Sequence, residues 1–231
     1  MLERALRKLG WQGSSISAAG RTDAGVHALG QVIAYQLAWD RESVRLTDAL
    51  NSHLPPDLAI RSTELAPTGF HPRFSARRRR YCYRLLASDR ANPLVERFAW
   101  RVWPQPDIDR LAAASRLFIG EHDFGSFGRP TRPGGSTVRR LWTAEWSQEG
   151  DELRLQLEAD GFLNRMVRRM VGAIVAVERG NAEPEAIVSR IRNPGQAWPG
   201  KPAPARGLCL EEVIYPEMRG IVAENISSET E

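Results

Sequence analysis

The chain has 231 residues, 42% hydrophobic and 26% charged, ordinary proportions for a soluble protein with room for a large core and one or two domains. Its formal net charge of +4 is carried by arginine, since Lys8 and Lys201 are the only lysines; that suits phosphate and base edges, although a GC-rich genome also enriches arginine. No apolar run is long enough to span a bilayer, MLERALRKLG lacks a signal-peptide core, Cys82 and Cys209 form no CxxC pair, and the four histidines have no metal-ligand spacing; a cytoplasmic protein without a membrane span, disulfide framework or metal site is expected.

In chain order, Leu2, Leu6 and Leu9 share helical spacing and predict a helix over 1–9. Residues 15–19 predict a short strand leading into a loop, GRTDAGVHA (20–28). GQVIAYQLA (30–38) predicts a strand and RESVRLTDALN (41–51) a helix, which HLPPDL ends because consecutive prolines cannot continue it. Residues 58–65 alternate like a strand, and 79–86 and 98–103 predict two more. After Pro104 and Pro106 a helix is expected over 107–118. GRPTRPGGS (128–136) predicts a flexible basic loop, and 137–146 with 152–159 a hairpin across SQEGD. The longest helix is expected over 162–179, and a shorter one over 184–191, opened by Pro184. A Pro/Gly-rich loop leads to a last strand, 208–214. The class is α+β, with a break near 90–106 between halves of similar size.

Three stretches carry candidate chemistry. In GRTDAGVHA, the plainer reading of TDAG is a turn, for Asp and Gly favour turn positions. Three features lean the other way: the stretch is crowded with functional side chains, its glycines let backbone approach a ligand, and Arg21 stands two residues from Asp23, near enough to help hold a carboxylate ionised. An ionised, positioned carboxylate is what a nucleophile or general base requires. In FHPRFSARRRRYCYRL (70–85), Arg77, Arg78, Arg79 and Arg80 run into Tyr81 and Tyr83, which share one face of a strand. That arrangement can hold a nucleic-acid strand by phosphate contact and base stacking, and equally describes a solvated edge strand. In ADGFLNRMVRRMVGAIVAVERG (159–180), Phe162, Met166, Met170 and Ile174, with Leu163, Val167 and Val171, form a core-facing stripe. Arg165 lies near the centre of the polar face, with Arg168 and Arg169 at its borders; three solvated arginines are the plainer reading.

Five segments in order, GRTDAGVHA, RYCYRL (80–85), GEHDFGSF (120–127), GFLNRMVRRMVG (161–172) and APARGLCL (203–210), resemble the motifs of the TruA-type tRNA pseudouridine synthases, over residues 1–216. The resemblance implies an isomerase that converts uridine to pseudouridine in the anticodon stem-loop of tRNA, at positions 38 to 40, with no cofactor and no metal. It places the family's nucleophilic aspartate on Asp23, its base-stacking tyrosine on Tyr81 and its carboxylate-pairing arginine on Arg168. Substrate contacts fall on Arg21, in base extrusion, on Leu208, in the apolar pocket wall, and on His27 and Tyr83. Phosphate contacts are expected from Arg77 to Arg80, Arg129 and Arg132, with Arg139 and Arg140 beside them. The implied fold is two ferredoxin-like split βαβ halves, 1–92 and 105–216, sharing a central antiparallel sheet with the active-site cleft between them, in a homodimer. Residues 217–231 are expected to be a polar, disordered tail. Family members usually open with a strand and a glycine-rich loop before the first helix, whereas this chain starts within that helix; a misassigned start, a truncated sequence and a genuinely shortened protein each fit, and only in the last is one central strand missing. The alternative is a tRNA-binding protein that lost its chemistry together with that strand.

Overall fold

The computed structural model of the protein describes residues 1–216; the expected tail, 217–231, lies outside the described residues. In chain order the elements begin with α1 (Leu2–Lys8), β1 (Ser17–Ala18), β2 (His27–Ala28), β3 (Ile33–Ala34), α2 (Ser43–Asn51), β4 (Arg78–Ala87) and β5 (Trp100–Val102). They continue with α3 (Ile108–Arg116), β6 (Gly120–Asp123), β7 (Val138–Glu149), β8 (Glu152–Ala159), α4 (Met166–Glu178), α5 (Pro184–Arg192) and β9 (Leu208–Ile214). The class is α+β, and the chain forms two compact units.

One unit takes residues 1–20 and 32–76 with Tyr215 and Pro216. Its core is Ala5 and Leu6 of α1, Trp11, and Leu46 and Leu50 of α2. The strands expected over 15–19 and 30–38 shrink to one antiparallel pair, β1 with β3. The strand expected over 58–65 does not form. Its backbone is held by side chains of α2 instead: Asn51 Nδ2 donates to the Ile60 carbonyl (2.9 Å), and the Ile60 N–H donates to Asn51 Oδ1 (2.7 Å). Thr63 Oγ1 donates to the Ser43 carbonyl at 2.6 Å. These bonds satisfy the backbone that a neighbouring strand would otherwise satisfy, which is how local side chains override an alternating pattern.

The other unit takes residues 21–31 and 77–214 and carries a seven-stranded sheet, ordered β2-β9-β4-β8-β7-β6 with β5 alongside β4. The alternation in β8 sorts its two faces: Leu153, Leu155 and Leu157 are fully buried, while Arg154 is exposed. Tyr83 and Leu85 of β4 join those leucines in one core with Phe118, Phe124, Phe127 and the apolar side of α4. Each such fully buried side chain contributes roughly 1.5–3 kcal/mol. On the opposite face, Arg78 and Arg80 pair with Glu158, and Arg84 with Glu152.

Two expectations need correction in this unit. The sheet is mixed rather than antiparallel, because β2 pairs parallel with β9 and β5 parallel with β4. Parallel pairing needs a long connection, and residues 88–99 supply one between β4 and β5. The longest helix starts at Met166, not at 162, because Asn164 is already engaged: its backbone exchanges hydrogen bonds with Arg129 in an antiparallel bridge. Arg165 then turns the chain into α4 through the left-handed region, at φ 61° and ψ 8°. The strands at 27–28 and 120–123 are too short to show a period in sequence.

Candidate active site around Asp23

TDAG is indeed a turn. The Val26 N–H donates to the Asp23 carbonyl at 3.1 Å, and Gly25 sits at φ +81°, where a side chain would be strained. The turn nevertheless presents the Asp23 side chain to α4, and both of its carboxylate oxygens are bound. Arg168 Nη1 donates to Oδ2 at 2.7 Å, and Asn164 Nδ2 donates to Oδ1 at 3.2 Å. The Asp23 and Arg168 side chains are 20% and 17% exposed, so the pair is sheltered while the carboxylate keeps a face open to a ligand.

Arg168 is the hub. Its Nε donates to the Ala203 carbonyl at 2.7 Å, and its own backbone carbonyl accepts the Ala203 N–H at 2.8 Å. One planar guanidinium therefore ties the Asp23 loop and the segment before β9 to the first turn of α4. Gly172 permits this: a Cβ there would lie 2.6 Å from the Lys201 carbonyl oxygen. Asn164 is oriented by its backbone bridge to Arg129, and Arg165 pays for the turn that follows with a left-handed conformation costing about 1–2 kcal/mol. Such strain persists where surrounding structure fixes it, commonly at functional sites.

Tyr81 is half-buried and meets the Phe162 ring edge-on, with centroids 5.0 Å apart. A β-bulge between Arg80 and Tyr81 in the pairing with β9 re-aims the strand there. Burial pushes the Tyr81 hydroxyl up to about 12, with the nearby Asp23 charge adding to the rise and Arg79 opposing it. Asp23, Asn164, Arg168 and Tyr81 thus form one cluster of a sheltered carboxylate, its two donors and a protonated phenol.

A sequence model described as tRNA pseudouridine synthase matches residues 114–216. Among curated proteins, a tRNA pseudouridine synthase A from Geobacter sulfurreducens is 38% identical over 215 residues, spanning 93% of this chain and 88% of that protein. One from Geotalea uraniireducens is 35% identical with the same coverage, and one from Geobacter sp. strain M21 is 36% identical over 94% of this chain. The chain belongs to the tRNA pseudouridine synthase family.

Not every candidate joins the cluster. Arg21 is exposed, two residues before Asp23. His27 turns toward the 97–98 segment: its ring lies 4.8 Å from that of Phe98, and Nε2 is 3.0 Å from the Arg97 carbonyl. Tyr83 is fully enclosed, its hydroxyl donating to the Pro204 carbonyl at 2.8 Å, so it supports the floor rather than meeting a ligand. Leu208 is buried opposite Tyr83 in the sheet register. Of the arginine run, Arg77 is exposed, but Arg78 is held by Glu158 at 2.7 Å and lies over the Trp142 ring. Arg79 donates to the Asp160 carbonyl, and Arg80 pairs with both Glu158 and Glu212. Arg129 and Arg132 are exposed. Asn164 was missed by sequence reasoning, because it lies before α4, in a bridge, with the left-handed Arg165 between, so no helical spacing links it to Arg168.

Proposed function

We propose that this protein isomerises uridine to pseudouridine in the anticodon stem-loop of tRNA, at positions 38 to 40, with Asp23 as the nucleophile. The observation that carries the reading is the sheltered Asp23 carboxylate held by Arg168 at 2.7 Å beside Tyr81, in a chain of this family. The reaction breaks the N1–C1′ bond, turns the uracil and joins C5 to C1′; the C5 proton leaves to water and N1 gains one. The carboxylate attacks the uracil ring, or attacks or deprotonates at the ribose, and Arg168 holds it in position through the 2.7 Å hydrogen bond. No step calls for a bound cofactor or metal. Tyr81 stacks on the target base, and its neutral hydroxyl is placed to donate.

The uridine reaches this site only after leaving its stack, at a cost of a few kcal/mol, and the exposed Arg21, two residues from Asp23, is suited to take the vacated position. Leu208 and Tyr83 back the apolar wall, and His27 steadies the loop against Phe98. Arg77, Arg129 and Arg132 are exposed and suited to phosphates, as Arg78, Arg79 and Arg80 become if their present partners yield. We read residues 1–92 and 105–216 as two ferredoxin-like halves, and the functional unit as a cytoplasmic homodimer.

The test is tritium release from tRNA carrying tritium at C5 of uridine, with the wild-type protein and Asp23→Asn. Release by the first and not the second supports the reading. Tight tRNA binding without release from either protein would refute it, and would leave a binding protein in its place.

A further inference from the structure

We propose that Arg129, Arg165 and Arg169 together bind one backbone phosphate of the RNA, adjacent to the uridine that reaches Asp23. This rests on the reading of the chain as an RNA-modifying enzyme. The three residues are brought together by backbone geometry. Arg129 and Asn164 exchange N–H···O bonds of 3.4 and 3.0 Å, Arg165 follows Asn164, and the Arg169 N–H donates to the Arg165 carbonyl at 3.0 Å, one turn on. The same Asn164 binds Asp23 through its side chain, so the cluster is fixed to the catalytic carboxylate by a single residue.

Charge distinguishes this cluster from the carboxylate-paired arginines of the unit. Arg78, Arg80, Arg84, Arg101 and Arg154 each pair with a carboxylate. Among the described residues, no carboxylate pairs with Arg129, Arg165 or Arg169. Stability alone would favour the opposite arrangement. The positive end of a helix dipole favours acids in the first turn, yet α4 has none there and presents Arg165, Arg168 and Arg169. Arg168 is offset by Asp23, while Arg165 and Arg169 stand four residues apart as like charges, which repel. Burial, then the charges of Arg129 and Arg165, push the half-buried Arg169 guanidinium below its ordinary value, and no acid opposes them. A guanidinium cannot shed its proton at neutral pH, so the cluster remains a concentrated positive charge awaiting an anion. Guanidinium forks carried on a bridge, a cap and a helix turn that adjoin through the backbone suit the non-bridging oxygens of a phosphodiester. A local rule broken without an internal compensation marks a site built for a ligand.

The test measures tRNA binding in the Asp23→Asn background, where no turnover intervenes, as a function of salt. Arg165→Gln with Arg169→Gln should weaken binding by about tenfold or more and reduce the slope of log K against log salt by about 1, the signature of one lost phosphate contact. Arg116→Gln with Arg192→Gln, exposed on α3 and α5, removes the same two charges and should change affinity less than about twofold. With the catalytic aspartate intact, the first pair should raise KM and leave kcat nearly unchanged. Arg165→Lys with Arg169→Lys should recover most of the slope. Equal losses from the two glutamine pairs, or an unchanged slope, would overturn the proposal. So would stabilisation by inorganic phosphate that the first pair abolishes while tRNA binding stays intact, which would mark a free-anion site. Wild-type protein that fails to isomerise but shows cluster-dependent tRNA binding would remove the enzymatic reading and keep this one. Isomerisation with a KM indifferent to the cluster would do the reverse.

Discussion

Asp23→Asn separates chemistry from architecture, because the two side chains have the same shape. In the structure Oδ2 accepts from Arg168 and Oδ1 accepts from Asn164. An asparagine can accept at only one of those positions. With its oxygen toward Arg168, its NH2 faces the Asn164 NH2, donor against donor. A hydrogen bond to a charged group is worth about 1.5–3 kcal/mol. Asn164 can turn its own amide to present oxygen, and Arg168 keeps the Ala203 carbonyl, so the expected loss of stability is about 1–2 kcal/mol. Activity should fall far more, by about 10⁴-fold or beyond, as when a nucleophile is removed from an otherwise intact site. tRNA affinity should stay within about tenfold, since a carboxylate holds no phosphate. Tritium release, thermal melting and tRNA binding read the three quantities on the same preparation. Isomerisation within tenfold of wild type, with binding intact, would refute Asp23 as the nucleophile. A collapse of the melting transition alongside activity would make its role structural.

Three further outcomes follow from the same geometry. Arg168→Ala strips the Ala203 carbonyl and the Asp23 carboxylate of a shared donor in a sheltered site and should cost about 3 kcal/mol as well as activity; an unchanged melting temperature would refute the hub. Gly172→Ala would gain about 1 kcal/mol of helix propensity, but its Cβ would stand 2.6 Å from the Lys201 carbonyl, so net destabilisation of about 1–3 kcal/mol is expected from chemical denaturation, and a stabilised protein would refute it. Because burial raises the Tyr81 hydroxyl to about 12, the stability gained by keeping it neutral is complete below about pH 10 and is lost as pH rises through about 12; phenolate absorbance of wild type and Tyr81→Phe should overlay up to about pH 11, and a Tyr81-dependent signal near pH 10 would contradict this.

Much of the site could be read in the sequence because its parts lie in short, dense motifs. The Asp23 loop, the strand bearing Tyr81 and Tyr83 and the helix bearing Arg168 were each placed from local pattern, and β8 and β9 fall on the expected residues 152–159 and 208–214. Long-range pairing was less legible. Nothing local says that Asn164 would bridge Arg129 and so delay α4, or that Asn51 would take both backbone groups of Ile60 and prevent a strand. The tyrosine pair shows the same limit. Period 2 puts Tyr81 and Tyr83 on one face, but only packing decides that Tyr83 is sealed against Pro204 while Tyr81 stays half-open.

The arginine run teaches that charge in a sequence is not charge at a surface. Arg78 and Arg80 flank Glu158, whose side chain is only 10% exposed, and Arg80 also reaches Glu212. Arg78, against the opposing effect of burial, and then Arg80 hold the Glu158 carboxyl below its ordinary value. The sign of the linkage follows. A depressed carboxyl contributes stability that is present above its unfolded value near 4.5 and is lost as pH falls through the folded one. Glu158→Gln should therefore cost about 1–3 kcal/mol at neutral pH, discounted toward the lower figure because both guanidinium groups are partly exposed, and the gap should close in acid. The same substitution releases two arginines. If this face of the sheet meets RNA, tRNA affinity should rise and its salt slope steepen; unchanged binding would place the phosphate contacts elsewhere, on arginines that no carboxylate holds. A stability difference constant from pH 7 to about pH 3 would refute the electrostatic account of the pair, and would leave shape alone as the reason for a glutamate between two arginines.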